Sequence, residues 1–344
     1  MAGWAPALDP ERSSCQVMGG QELPGVLVSA LEGPRGVCEG HVADLQRHFT
    51  LITVKEFLED RTQLGPKIQA IYIWGGKPAV DRMLLQSLPC LKVVASSGAG
   101  VDHLDLPLIA SFGVKVVNTP LAVSSPTADL GMALLLAAAR RVLEGHQLAI
   151  SPDTQDFAVN WMGQDVAGAT LGIVGMGTIG YKVAQRAKAF EMEVLYHNRH
   201  RRAVEEEAAV GATYCARLDD LLSRSDFLLV ALSLTPQTRG LIGRRELRLM
   251  KPTAILINIS RGLVVDQDAL VEALQTGVIA AAALDVTFPE PLPRDHPLLK
   301  LKNIILTPHI GSATHQARRR MMESLVEGIL ASLSGLPVPN EVLA

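Results

Sequence analysis

Three short segments carry polar side chains just where apolar runs stop: Asn258-Ile-Ser-Arg-Gly-Leu-Val-Val-Asp266, Ala283-Leu-Asp-Val-Thr-Phe-Pro-Glu-Pro291 and Leu306-Thr-Pro-His-Ile-Gly-Ser312. They place Arg261, Glu290 and His309 beyond the carboxyl ends of three predicted strands. Open α/β sheets bind their ligands at that edge. An imidazole exchanges protons near neutral pH, a carboxylate orients it, and a guanidinium grips an anion. Each residue alone is more often structural than catalytic. Together, downstream of a nucleotide-binding turn, they form a specific signal.

That turn is Leu171-Gly-Ile-Val-Gly-Met-Gly-Thr-Ile-Gly180, with glycines at 175, 177 and 180 in the GxGxxG spacing. Three glycines at this spacing are weak evidence by themselves. Here they follow an apolar strand and open a helix with Ile179, Val183, Ala187 and Phe190 on one side, which is the context the chemistry requires. Gly175 permits the tight turn, Gly177 lets backbone approach a pyrophosphate, and Gly180 lets helix pack on strand. The helix N-terminus adds unpaired N–H groups and a positive dipole end.

The residues after the next strand choose between nucleotides. An NAD domain usually places Asp or Glu about 20 residues on, to hold the adenosine ribose. This chain has Asn198 there, in the run His197-Asn-Arg-His-Arg-Arg202. The neutral Asn198 removes a repulsive carboxylate. Arg199, with His200, Arg201 and Arg202 in the same run, offers planar forks for a ribose 2′-phosphate. The expected cofactor is therefore NADP(H).

With these segments in view, the chain resembles the D-isomer-specific 2-hydroxyacid dehydrogenases, and more narrowly the glyoxylate/hydroxypyruvate reductases. The likeness runs from about Leu91 to Pro339, is sharpest at 258–262, 284–291 and 308–312, and weakens in the N-terminal lobe. The resemblance implies that His309 protonates the 2-keto oxygen as hydride arrives, that Glu290 fixes its ring, and that Arg261 binds the substrate carboxylate. It implies further carboxylate contacts from the backbone of Ala99 and Gly100 in Ser97-Gly-Ala-Gly-Val-Asp-His103. Thr178 and Ile179 would hold the pyrophosphate through their backbone. Asp285 would bind the nicotinamide carboxamide, Ser233 and Ile259 would line the cofactor, and Gly311 would lie next to its reactive end. The reactions implied are reductions of small 2-keto acids such as glyoxylate or hydroxypyruvate, with longer sugar acids open. The family is usually homodimeric. The competing implication is a dinucleotide-sensing binding protein of the corepressor type on the same fold.

The segment between Ile150 and Thr170 departs from the reductases. Trp161 within it is a candidate for the tryptophan that closes the partner's active site, or for one packed at a dimer contact. Arg318–Arg320 reads as a solvated helix face, and His103 and His315 as local hydrogen-bonding groups.

Positioning such residues takes a framework of strands and crossover helices. Apolar runs at Gly25–Leu31, Leu51–Val54, Ala70–Trp74, Lys92–Ser96 and Val114–Asn118 predict one parallel sheet. Runs at Thr170–Val174, Glu193–Tyr196, Phe227–Leu232, Ala254–Ile259, Ala281–Asp285 and Asn303–Leu306 predict a second, six-stranded one. A helix capped by Ser124/Ser125–Pro126 joins them, and a last amphipathic helix near 313–334 returns to the first lobe. The expected fold is α/β: a Rossmann-type cofactor domain and a flavodoxin-like substrate domain with a cleft between. The expected boundaries are a flexible tail over 1–22, a substrate domain of 23–123 plus 312–344, and an NADP-binding domain of 124–311.

The 344 residues suffice for two such cores, and 48% hydrophobic content excludes a disordered chain. A net charge of −3 gives no field for nucleic acid or anionic membrane. Residues 1–20 lack the apolar run of a secretory signal, and Leu130–Ala139 reads as a buried helix half a bilayer long. The four cysteines, at 15, 38, 90 and 215, are far apart and read as reduced thiols of a cytoplasmic protein.

Overall fold

The computed structural model describes residues 22–33, 36–154, 156 and 161–343, so the tail expectation lies outside it except at Glu22. The chain divides into two compact units. One runs to Val123 and resumes at Thr314; the other is Ser124–Ala313, so the second crossing falls two residues beyond the expected one.

In the first unit, β1 (Gly25–Val28), β2 (Thr50–Thr53), β3 (Ile68–Ile73), β4 (Val93–Ser96) and β5 (Lys115–Val117) form a parallel sheet of order β2-β1-β3-β4-β5. Every residue of β1 and β4 is buried, as continuous apolar strands between two covering layers must be. One layer is the helix His315–Leu333. Its Met321, Met322, Leu325, Val326 and Ile329 share a core with Val26, Ala70, Val93 and Val117. Gly328 allows the close approach, since a Cβ there would lie 3.2 Å from Val117.

In the second unit, β6 (Thr170–Val174), β7 (Glu193–His197), β8 (Ala212–Tyr214), β9 (Phe227–Val230), β10 (Ile255–Asn258), β11 (Ala281–Leu284) and β12 (Ile304–Leu306) form a parallel sheet of order β12-β11-β10-β9-β6-β7-β8. Strand order reverses between β6 and β9, the switch point of a doubly wound nucleotide fold. The sheet has seven strands where six were expected. The extra one, β8, is three residues held by pairing with β7 from Val194–Ala212 to Tyr196–Tyr214.

The joining helix spans Pro120–Ala139, beginning four residues before the expected serine cap, with Pro126 inside it. Pro120 occupies the first position, where a missing N–H costs nothing. The helix runs on past Pro126 because Ala128, Met132, Leu135 and Ala139 are buried against the second sheet's core. Among the described residues it is the one helix long and apolar enough to cross a membrane, twice the expected length, with half of that window buried in protein. Cys38 and Cys215 are free, whereas Cys90 is disulfide-bonded. That corrects the reduced-thiol expectation at Cys90, because sequence spacing does not reveal which sulfurs a fold brings together.

Candidate active site

The glycine turn follows β6. Gly175 has φ 95°, and a Cβ there would lie 2.7 Å from Leu232 and 2.9 Å from the Ala231 carbonyl. At Gly180 a Cβ would meet the Gly175 carbonyl oxygen at 2.3 Å. A Cβ at Gly177 meets nothing within 4 Å. Gly177 precedes the helix Thr178–Ala189, and no side chain caps it. Open space, an uncapped helix N-terminus and two glycines that only backbone fits make a cradle suited to a dinucleotide pyrophosphate. Gly177→Ala should therefore leave the melting temperature nearly unchanged, within about 0.5 kcal/mol of stability. Dinucleotide binding should weaken at least about tenfold. Thermal unfolding and a fluorescence titration on the same sample check both; unchanged affinity would deny the cradle its role.

The basic run after β7 is more ordered than its charge suggests. Asn198 stitches it to the glycine turn, accepting from Met176 N–H at 2.6 Å and donating to its carbonyl at 3.3 Å. Arg202 donates to the same carbonyl at 2.9 Å and to Glu206 at 2.5 Å, over the Tyr181 ring at 4.7 Å. Its Nε is buried without a partner among the described residues. Arg201 forks onto Glu207 at 2.9 and 2.7 Å. Tyr196 also donates to Glu207, at 2.5 Å, while accepting from Arg202 N–H at 2.9 Å. Arg199 and His200 are exposed, and no hydrogen bond or ion pair engages either among the described residues.

Glu207 is only 5% exposed. Hydrogen bonds from Arg201, then Tyr196, hold its carboxyl down at about 2. Burial, then the Glu207 bond, pushes the Tyr196 hydroxyl up to about 12. A carboxyl depressed in the fold contributes stability above its unfolded value and loses it as pH falls toward the folded one. Glu207→Gln should thus lower the melting temperature at about pH 7, and the gap to wild type should narrow as pH drops toward about 3. A gap constant with pH would refute the linkage.

The polar trio sits at the carboxyl ends of β10, β11 and β12. Asn258 shapes the first loop, accepting from Ser260 N–H at 3.0 Å and its hydroxyl at 2.7 Å, and donating to the Arg261 carbonyl at 3.0 Å. Gly262 then lies so near Thr287 that a Cβ would be 2.1 Å from its carbonyl carbon. This contact brings half-buried Arg261 into electrostatic reach of Glu290.

Asp285, 2% exposed, organises the third loop. It accepts from the Thr307 hydroxyl at 2.7 Å, Ile310 N–H at 2.8 Å and Gly311 N–H at 2.9 Å. Its carbonyl accepts from His309 N–H at 2.8 Å. These bonds hold His309 at φ 55°, a left-handed conformation that a non-glycine residue keeps only where its surroundings impose it. Gly311 is packed against Thr127, where a Cβ would lie 3.1 Å away.

His309 Nδ1 and Glu290 Oε2 are 2.8 Å apart. Glu290 also accepts from Thr287 N–H at 3.0 Å. Burial raises its pKa, but the His309 hydrogen bond and charge, the Thr287 N–H and the Arg261 charge outweigh that and leave it lowered. An ionised Glu290 only accepts, so Nδ1 carries the hydrogen and Nε2 is the ring nitrogen free to exchange a proton. Nε2 has no hydrogen-bond partner among the described residues.

Within the second unit the structure therefore brings Arg261, Asp285, Glu290, His309 and Gly311 together. Ser233 is exposed beyond β9, its carbonyl accepting from the Thr238 hydroxyl at 2.8 Å. Ile259 follows β10 with its side chain in the core, its Cδ1 3.0 Å from where a Gly131 Cβ would stand, which leaves its backbone at the strand end. Trp161 packs on Gly145 beneath the Arg141 guanidinium, 5.1 Å from the ring centre. In the first unit, the loop after β4 is pinned by Gly98 N–H to Thr119 at 2.8 Å and Asn118 to the Ala99 carbonyl at 2.7 Å. The Ala99 and Gly100 N–H groups have no partner among the described residues. His103 bonds Ser96 at 3.0 Å, the local role expected of it. Sequence reasoning missed Thr307, Thr127, Glu206 and Glu207. The Arg202–Glu206 spacing of four, across the start of the helix Val204–Val210, was the available signal.

A seven-stranded doubly wound sheet, a glycine cradle at its switch point and an Arg/Glu/His trio at its carboxyl edge define a nicotinamide-dependent dehydrogenase. The family profile described as "D-isomer specific 2-hydroxyacid dehydrogenase, NAD binding domain" matches residues 132–311. The chain belongs to that family and is a 2-hydroxyacid dehydrogenase. It is 45% identical over 268 residues to a glyoxylate reductase of Thermococcus litoralis, covering 76% of this chain and 80% of the relative. It is 44% identical over 295 residues to glyoxylate/hydroxypyruvate reductase B of Pectobacterium atrosepticum, covering 85% and 91%. Among solved structures it is similar to an NADPH-dependent glyoxylate/hydroxypyruvate reductase of Sinorhizobium meliloti in complex with NADP and malonate, with TM-score 0.81, 30% identity and coverage of 93% and 96%.

Proposed function

We propose that this chain is an NADPH-dependent reductase of small 2-keto acids, glyoxylate and hydroxypyruvate among them, yielding D-2-hydroxy acids. The observation that carries the reading is the His309–Glu290 pair at 2.8 Å beside Arg261. The Arg261 fork takes the substrate carboxylate and polarises the keto group, and in the first unit the Ala99 and Gly100 N–H groups are donors of the kind a carboxylate accepts from. His309 gives the Nε2 proton to the 2-keto oxygen as that oxygen becomes a hydroxyl. Glu290 keeps the ring oriented through the Nδ1 hydrogen bond.

When bound, the nicotinamide nucleotide supplies the hydride that completes the reduction. The backbone of Gly177, Thr178 and Ile179 would hold its pyrophosphate. Asp285, which keeps one of about four lone-pair sites after its three internal bonds, would hold its carboxamide. Arg199, with Asn198 and His200, takes the 2′-phosphate, while Arg201 and Arg202 are held by Glu207 and Glu206 and shape the loop. Cells keep NADPH reduced, which makes reduction the working direction.

The reading includes a homodimer in the cytoplasm. The helix Val142–Ile150 has no buried residue, yet Val142, Leu143 and Ile150 are each more than half exposed, as is Met162. Such an apolar surface suits cover by a second copy. The test is NADPH absorbance with glyoxylate and hydroxypyruvate as substrates. Silence with every 2-keto acid would favour the dinucleotide-sensing binding role instead.

A further inference from the structure

In the first unit the strand order reverses at β1 and β3, so ligands belong outside the carboxyl ends of those strands. The residue that follows β3 is Trp74. Gly75 and Gly76, both at positive φ, turn the chain back so that Trp74 and Lys77 exchange backbone hydrogen bonds at 2.9 and 3.1 Å. Across the sheet Ile73 pairs with Ser96, and Ser97 N–H donates to the Ile73 carbonyl at 3.0 Å. Trp74 is thus the immediate neighbour of the loop whose Ala99 and Gly100 N–H groups are uncommitted.

Trp74 is itself a buried shelf. Tyr72 stacks on it at 6.1 Å and His41 meets it edge-on at 5.8 Å. Among the described residues the Tyr72 hydroxyl and His41 Nδ1 are both buried without partners, a polar deficit that structures tolerate mainly where function demands it. On this shelf lies Arg318, its guanidinium carbon 5.3 Å from the ring centre. The solvated-face expectation for 318–320 is therefore corrected at Arg318. Arg319 approaches Asp44 and Glu323, both at 3.9 Å. Arg318 has neither a hydrogen bond nor an ion pair among the described residues. It is a cation held in place with its N–H edges uncommitted.

A 2-keto acid whose carboxylate sits on the Ala99–Gly100 backbone carries any further carbons past the keto group at this same sheet edge. We propose that Arg318, shelved on Trp74, is a specificity-determining residue. It hydrogen-bonds an oxygen borne beyond the keto carbon and so favours hydroxylated or dicarboxylic 2-keto acids over glyoxylate and pyruvate. The inference rests on the reductase reading of the same site.

The test measures kcat/KM of wild type, Arg318→Met and Arg318→Lys with NADPH and four substrates: glyoxylate, pyruvate, hydroxypyruvate and oxaloacetate. Arg318→Met should lose about 10- to 100-fold on the oxygen-bearing substrates, while glyoxylate and pyruvate stay within about twofold. A loss on hydroxypyruvate alone assigns the partner oxygen as a hydroxyl, and on oxaloacetate alone as a carboxylate. Arg318→Lys keeps the charge but not the fork, should lose less, and carries the readout should the Met variant not fold. An equal loss on all four, or none, overturns the assignment while the reductase reading stands. A wild type inert toward all four overturns the reductase reading itself.

Discussion

His309→Gln is expected to lower turnover by about 10²–10⁴-fold with NADPH binding left within about twofold. Glutamine keeps polar atoms near Glu290 but has no proton to deliver at neutral pH. The cradle at Gly177 and the basic run after β7 are built from other loops, so nucleotide affinity has no reason to move. The loss should fall on kcat and kcat/KM alike, because the missing bond exists only as the alkoxide forms. Single-turnover rates together with a fluorescence titration of NADPH separate the two. Turnover barely altered would show that another group supplies the proton.

The second large effect concerns nucleotide choice. Arg199→Ala combined with Asn198→Asp should move the ratio of kcat/KM for NADPH over NADH downward by about 10²-fold or more. Removing one charge-assisted fork costs about 1.5–3 kcal/mol, and the new carboxylate repels a phosphate while favouring a bare ribose. The substitution at 198 retains an acceptor for Met176 N–H but forfeits the donor to its carbonyl, so Arg202 alone still ties that carbonyl. Arg201→Ala should change the ratio far less, since that guanidinium is committed to Glu207. An unchanged ratio in the double variant would make the basic loop decorative.

What could be read in advance follows from what each element depends on. Strands such as β6, β9 and β10 announce themselves as unbroken apolar runs because both faces are covered. β8 offered only Ala-Thr-Tyr, too short for any periodicity, and exists because β7 presents an edge for it. The start at Pro120 was hidden by Pro126, a helix breaker by local rules that tertiary burial overrides. Arg261, Glu290 and His309 were legible because motif and strand end coincide. The committed state of Arg201 and Arg202 was not, since it depends on which carboxylates the next helix turns toward them.

The single carbonyl of Met176 receives both Asn198 and Arg202, and Arg202 leans in turn on Glu206. The glycine turn and the basic loop proposed to choose the ribose are therefore mechanically one piece. Anyone grafting nucleotide preference between members of this fold should transplant 196–207 as a cassette, because a five-residue swap would arrive without its struts.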